Sequence, residues 1–266
     1  MASSGRARVD EVKSKPKSKE LPAAIVQEFR SLFDKAKSQK DNEGRKITSA
    51  KWGVYAFYDY DGEPIYVGQT KESLATRLNR HLTNQRTDAV AMRILDVFEV
   101  AEMEVWPLWH LEYTPSKNVD ATSFSDATRQ LDAYEYSAYL RAISNSKFGA
   151  ILNEKIPPAS TPIDLPESYR FKLISEATKE ERGHPDVRIA RRAETISRLA
   201  SVAFERGQVS AGLRRVLVVQ AVRLAYKSAE RYKFAEGKDA PDPSAISVEG
   251  LIGSVKYPTD DEGSGD

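Results

Sequence analysis

The chain has 266 residues, of which 40% are hydrophobic, with a net charge of +1 and no cysteine. That length supports one sizeable core or two modest domains, and the lack of cysteine excludes disulfides, thiolate metal sites and a cysteine nucleophile. No apolar run approaches the roughly 20 residues that cross a bilayer, and the start lacks the apolar centre of a signal peptide, so no membrane association and a cytoplasmic location are expected.

In chain order, residues 1–20 are rich in Lys and Arg and read as a disordered basic lead-in. Residues 21–50 hold a helix and a linker. Ile25, Phe29, Leu32 and Phe33 recur at helical spacing, and "SQKDNEGRK" ends the helix. The run Val54 to Tyr58 is β-branched and aromatic, which suits a strand. Asp61-Gly62 marks a hairpin turn. Ile65-Tyr66-Val67 makes a second strand, with Pro64 at its start, where a missing N–H is tolerated.

Helices are expected over 72–83 and 88–98. "EMEVWPLW" (102–109) reads as a third strand that Pro107 ends or places at an edge. A long helix follows over 126–144, with Leu131, Tyr134, Ala138 and Leu140 or the stem of Arg141 on its apolar side. The paired prolines of "NEKIPPAS" mark a domain boundary. This gives a unit over 51–158, a helical domain over 159–236 and a flexible acidic tail over 237–266.

In the helical domain, Pro185 opens a helix at a favoured first-turn position. Ile189, Ala193, Ile196, Ala200 and Ala203 form the expected buried stripe. Arg188, Arg191, Arg192 and Arg198 fall on a different face. Gly207 stops this helix. A second runs from Ser210 to Phe234, and its centre, "VLVVQAV", is apolar nearly all round and so expected to be buried.

The chemistry-bearing residues gather around the hairpin. Tyr55 and Tyr66 lie on its two strands. Arg77 and His81 are four apart on the helix that follows, so they share a face. Glu135 stands in a largely apolar and aromatic helix, where a carboxylate needs a partner, water or a metal. Taken singly, each has an ordinary explanation: tyrosines half-buried in strands, an arginine and a histidine at a surface, a carboxylate facing solvent. Together they are suitable parts for phosphodiester cleavage. A carboxylate holds a hard cation such as Mg²⁺, which keeps several waters. Arginine matches phosphate in a bidentate geometry. A base takes a proton from the attacking water.

The ordered set Gly53-Val54-Tyr55, Tyr66-Val67-Gly68, Arg77 with His81, Glu135, then Leu152-Asn153 resembles the GIY-YIG nuclease superfamily. The resemblance covers residues 51–156. Valine replaces isoleucine in both tripeptides, and the spacings from His81 to Glu135 and from Glu135 to Asn153 are long. Glu112 and Glu154 are therefore weaker rivals to Glu135. The resemblance implies a small three-stranded antiparallel sheet flanked by helices; with the additional C-terminal helical domain read from the residues, the expected fold class is α+β. It implies one Mg²⁺ (or Mn²⁺) held by Glu135. Tyr55 would act as general base or orient the water, and Tyr66 would support the phosphate or its proton network. Arg77 would bind the scissile phosphate. His81 would assist proton transfer or contact phosphate, and Asn153 would stabilise the end of the core. Gly68 would keep the strand end open to phosphate.

A nuclease core with an added helical module is similar to restriction and defence nucleases. The expected function is a divalent-metal-dependent DNA endonuclease of bacterial restriction or phage defence. A homodimer would serve cleavage of both strands. The alternatives are a structure-specific or RNA-acting nuclease, and a non-catalytic nucleic-acid-binding protein with a nuclease-like fold. The arginine stripe Arg188, Arg191, Arg192 and Arg198 is expected either to dock DNA phosphates or to be the solvated basic face of a helical subdomain or dimerisation element.

Overall fold

The computed structural model describes residues 24–83, 96–207 and 209–258. The basic lead-in over 1–20 and most of the helix expected over 88–98 lie outside the described residues. Two strands, β1 (Gly53–Tyr58) and β2 (Pro64–Thr70), form the expected antiparallel hairpin. Its turn is held by one side chain. Asp59 Oδ1 accepts from the backbone N–H groups of Asp61 and Glu63 at 2.9 and 3.1 Å. Gly62 takes a positive φ of 74°, which a side chain would strain.

The sheet has four strands rather than three, in the order β2-β1-β3-β4 and antiparallel throughout. β3 (Glu102–Pro107) pairs along the whole of β1. The unexpected strand is β4 (Tyr169–Lys172), which pairs with β3 beyond the paired prolines. Its four residues alternate between half-buried and exposed, so no apolar run announces it. Backbone pairing to β3 makes the strand. The sheet thus continues past residue 158.

Seven α-helices surround this sheet among the described residues. In chain order, α1 (Ala24–Ser38) packs against the short 3-10 turn Ile47–Ser49 and α2 (Leu74–Thr83) follows the hairpin. α3 (Ala121–Asn145) is longer than expected at its start. Asp120 caps it, accepting from Thr122 N and Ser123 N at 3.0 Å each. Leu131, Ala138, Tyr139 and Ala142 of α3 are buried, and the helix packs on β2 and β1. β2 is an edge strand, and its edge is covered by chain that is not a strand. Leu152 N–H donates to Ile65 O at 2.8 Å. The Asn153 side chain accepts from Val67 N at 3.0 Å and donates to Val67 O at 2.8 Å. One carboxamide thus takes the place of a neighbouring strand.

Beyond β4 come α4 (Glu176–Arg182), α5 (Pro185–Arg206), α6 (Ala211–Ala235) and α7 (Val248–Ile252). α5 and α6 pack together. The burial of α5 corrects the expected stripe. Its inward residues are Arg188, Arg192, Thr195, Leu199 and Val202, one position away from the alanine and isoleucine series. The cause is a buried ion cluster at the hairpin turn. Asp59 Oδ2 accepts from Arg188 at 2.8 Å, Arg192 at 2.9 Å and Arg223 of α6 at 2.8 Å. Lys227 reaches Asp61 at 2.8 Å. Buried charges persist only when paired and hydrogen-bonded, and here the turn carboxylates provide the pairing. A second junction joins α6 to the segment after Asn153. Gly212 lies so close to Glu154 that a Cβ there would sit 1.9 Å from the Glu154 carbonyl oxygen. Arg215 donates to the carbonyls of Asn153 and Glu154 at 3.2 and 2.7 Å.

Candidate active site

The site grows from the register of the hairpin. Tyr55 on β1 stands opposite Gly68 on β2, and the Tyr55 ring fills the space that Gly68 leaves. A Cβ at Gly68 would lie 2.5 Å from the Tyr55 hydroxyl oxygen. The glycine therefore makes room first for a tyrosine, not for phosphate as the sequence suggests. Tyr66, two residues earlier on β2, stacks with Tyr55 at 6.3 Å between ring centroids and with Phe57 at 6.1 Å. Gly53 performs a similar service for α2, since a Cβ there would meet Leu74 at 2.8 Å. That close approach brings the helix onto the tyrosines.

α2 delivers Arg77 and His81 to the same point. The Tyr55 hydroxyl is 2.9 Å from His81 Nε2. Arg77 Nε donates to the same hydroxyl oxygen at 3.3 Å. The His81 ring is 5.6 Å from Tyr55 and 5.7 Å from Tyr66, centroid to centroid. Burial pushes the Tyr55 hydroxyl up to about 12, against the opposing pull of Arg77. Tyr66 is raised well above the ordinary tyrosine range, first by burial and then by Tyr55 and Glu135. Both tyrosines therefore carry their protons at neutral pH. Tyr55 has an imidazole nitrogen and a guanidinium within hydrogen-bonding distance of its hydroxyl.

Glu135 belongs to the same electrostatic group, because its charge acts on Tyr55 and Tyr66 and Arg77 acts on it. Burial raises its carboxyl to about 8, with Asp132 one turn earlier adding to the rise. The two rivals are engaged elsewhere. Glu112 accepts from Lys51 N at 3.0 Å, and Glu154 accepts from Ser210 Oγ at 2.8 Å. Asn153 sits at the edge of the tyrosine-bearing strand, as described above. Gln69 and Asp132 join Glu135 without being marked by the tyrosine, arginine and histidine pattern. Gln69 Nε2 donates to Asp132 Oδ1 at 2.8 Å, and Gln69 Oε1 is buried without a donor among the described residues. Two signals could have found the pair: Gln69 directly follows Gly68, and Asp132 precedes Glu135 by one helical turn.

The arginine stripe does not assemble as expected. Arg188 and Arg192 are buried in the ion cluster and face the fold, not solvent. Burial, and then the neighbouring Arg223 and Arg188, lower the Arg192 guanidinium to about 10. Arg191 is mostly buried, paired with Asp96 at 3.3 Å and lying over the Phe98 ring. Arg198 is exposed and paired with Glu194.

Residues 51–119 match the family model of the GIY-YIG catalytic domain. This segment is a GIY-YIG catalytic domain. The match spans Tyr55, Tyr66, Arg77 and His81 and ends before Glu135 and Asn153. No curated protein and no solved structure matches the chain. Such a domain implies phosphodiester hydrolysis and a nucleic-acid substrate. No described helix is long and apolar enough to cross a membrane.

A divalent cation fits the GIY-YIG site on its own terms. Among the described residues no group of three or more His, Asp or Glu side chains is arranged to hold a metal. A hard cation such as Mg²⁺ does not need one, since it is bound through one or two carboxylates, retained waters and substrate phosphate. The desolvated Glu135 carboxyl and the orphaned oxygen of Gln69 are acceptors of that kind.

Proposed function

We propose that the chain is a divalent-metal-dependent DNA endonuclease, of the type used in bacterial restriction or phage defence and acting in the cytoplasm. The observation that carries this reading is the convergence on one tyrosine hydroxyl of His81 Nε2 at 2.9 Å and Arg77 Nε at 3.3 Å. Glu135 lies within electrostatic reach of the same group.

The residues divide the work as follows. The Tyr55 oxygen takes the proton of the attacking water while its own proton passes to His81 Nε2, so no free tyrosinate need accumulate. Arg77 stabilises the negative charge that grows on Tyr55 and on the phosphate oxygens. Tyr66, stacked on Tyr55, fixes the plane of the ring and offers a hydroxyl to the phosphate. Glu135 holds Mg²⁺ or Mn²⁺. When bound, the cation supplies positive charge to the phosphate and the leaving oxygen. The sheet supports a nuclease unit running from 51 at least to Lys172, because β4 pairs with β3. A homodimer would supply the two sites that cleavage of both strands requires.

The test is incubation of the protein with duplex DNA and Mg²⁺, with single-stranded, branched and RNA substrates alongside. Duplex cleavage by the wild type should vanish with EDTA. It should fall by about 10²-fold or more in Arg77→Ala, as when a charge-stabilising donor is removed, and be lost in Glu135→Ala. Cleavage that survives both substitutions overturns the site, and preference for RNA overturns the DNA assignment.

A further inference from the structure

The Gln69 carboxamide has a fixed orientation. Its Nε2 donates to Asp132 Oδ1 at 2.8 Å. An ionised carboxylate only accepts, so the amino end faces Asp132 and Oε1 is turned away from it. That Oε1 is buried and meets no donor among the described residues. A buried acceptor left without a donor is destabilising, so the position calls for a water or a cation. Asp132 and Glu135 are three residues apart on α3, which stacks their side chains on one side of the helix. Gln69 extends β2 by one residue beyond Gly68. Through the Gln69–Asp132 bond and the one-turn spacing of Asp132 and Glu135, strand and helix bring a carboxamide and two carboxylates together along α3, and each offers hydrogen-bond acceptors.

A hydrated divalent cation presents the complementary surface. It takes oxygen ligands and keeps waters whose hydrogens all point outward. We propose that Gln69 and Asp132 are positioning residues for the divalent cation at Glu135, accepting hydrogen bonds from the waters it retains. Asp132 also adds a second negative charge, which favours a divalent over a monovalent ion. The inference rests on the assignment of Glu135 to the cation in the proposed function.

The test uses the full-length chain without nucleic acid and Mn²⁺ as the probe, with free Mn²⁺ followed by electron paramagnetic resonance. Asp132→Asn retains an acceptor for Gln69 Nε2 but removes the charge. Gln69→Met retains volume but removes the carbonyl oxygen. Each should weaken Mn²⁺ binding by about 10- to 100-fold, the usual effect of losing an outer partner, with the thermal midpoint in EDTA unchanged for Asp132→Asn. Wild-type affinity in both variants, together with lost binding in Glu135→Gln, overturns this inference and leaves the proposed function standing. Unchanged binding in Glu135→Gln overturns the underlying assignment instead. No Mn²⁺ binding by the wild type at millimolar concentration overturns both. If Gln69→Met does not fold, Asp132→Asn alone decides.

Discussion

At the scale of single residues, the site is a set of side chains displaced from their usual ionisation. The clearest is Glu135, whose carboxyl is raised from 4.5 to about 8 by burial and by Asp132. The sign of its pH dependence follows. In metal-free protein the folded state holds this proton more tightly than the unfolded chain does. The resulting stabilisation is complete below about 4.5 and is lost as pH rises through about 8. Between pH 5 and 8.5 in EDTA, the wild type should therefore lose thermal stability relative to Glu135→Gln. Affinity for Mn²⁺ should move the other way, rising with pH up to about 8, because the cation competes with the proton for the same carboxylate. Parallel titrations of both proteins check this, and a pH-independent difference in stability would contradict it.

At the scale of elements, the hairpin is the part most legible in the sequence. A β-branched and aromatic run, Asp61-Gly62 and a second strand after Pro64 give both strands and their turn. The 3.6-residue period gives α2, α3, α5 and α6. β4 escapes because an alternating four-residue strand is defined by its partner rather than by its own side chains. Hairpin register also decides a mutation. Gly68→Ala puts a Cβ into the Tyr55 hydroxyl, and the Tyr55 ring, fully buried, has little room to retreat. The variant should fold with a loss of about 1–3 kcal/mol. Cleavage should drop by about 10²-fold, because even a 1 Å misplacement of a reacting group is that costly. Denaturation and cleavage rates on one preparation separate the two effects.

At the scale of the whole molecule, the ion cluster around Asp59 ties the helices α5 and α6 to the turn of the hairpin that carries the candidate site. Charge patterning could not reveal this. Arginines on a helix read as a solvated face until carboxylates far along the chain are known to meet them, and Arg188 lies 129 residues from Asp59. For the same reason the strand positions of Tyr55 and Tyr66 are legible in the sequence and the burial of Arg188 and Arg192 is not: the first depends on local strand pattern, the second on long-range pairing. Asp59→Ala removes the carboxylate that three buried guanidinium groups share, leaving Arg188 with Asp61 and Glu99 and Arg192 with Glu99, and should cost about 3–5 kcal/mol in equilibrium unfolding. Glu194→Ala, which removes only the exposed partner of Arg198, should change stability by less than about 1 kcal/mol. Equal effects from the two substitutions would refute the distinction.

The placement of Asp59 also bears on how portable the catalytic segment is. Residues 51–119 suffice for recognition as a GIY-YIG domain, yet the turn inside that segment is built to face arginines from beyond residue 185. Transplanted alone into another protein, the segment would carry a carboxylate designed for three cations and meet none. The helices are accordingly not an accessory that can be exchanged for another. Any graft of this nuclease would have to bring its own arginines along, or replace Asp59 with a turn that tolerates water.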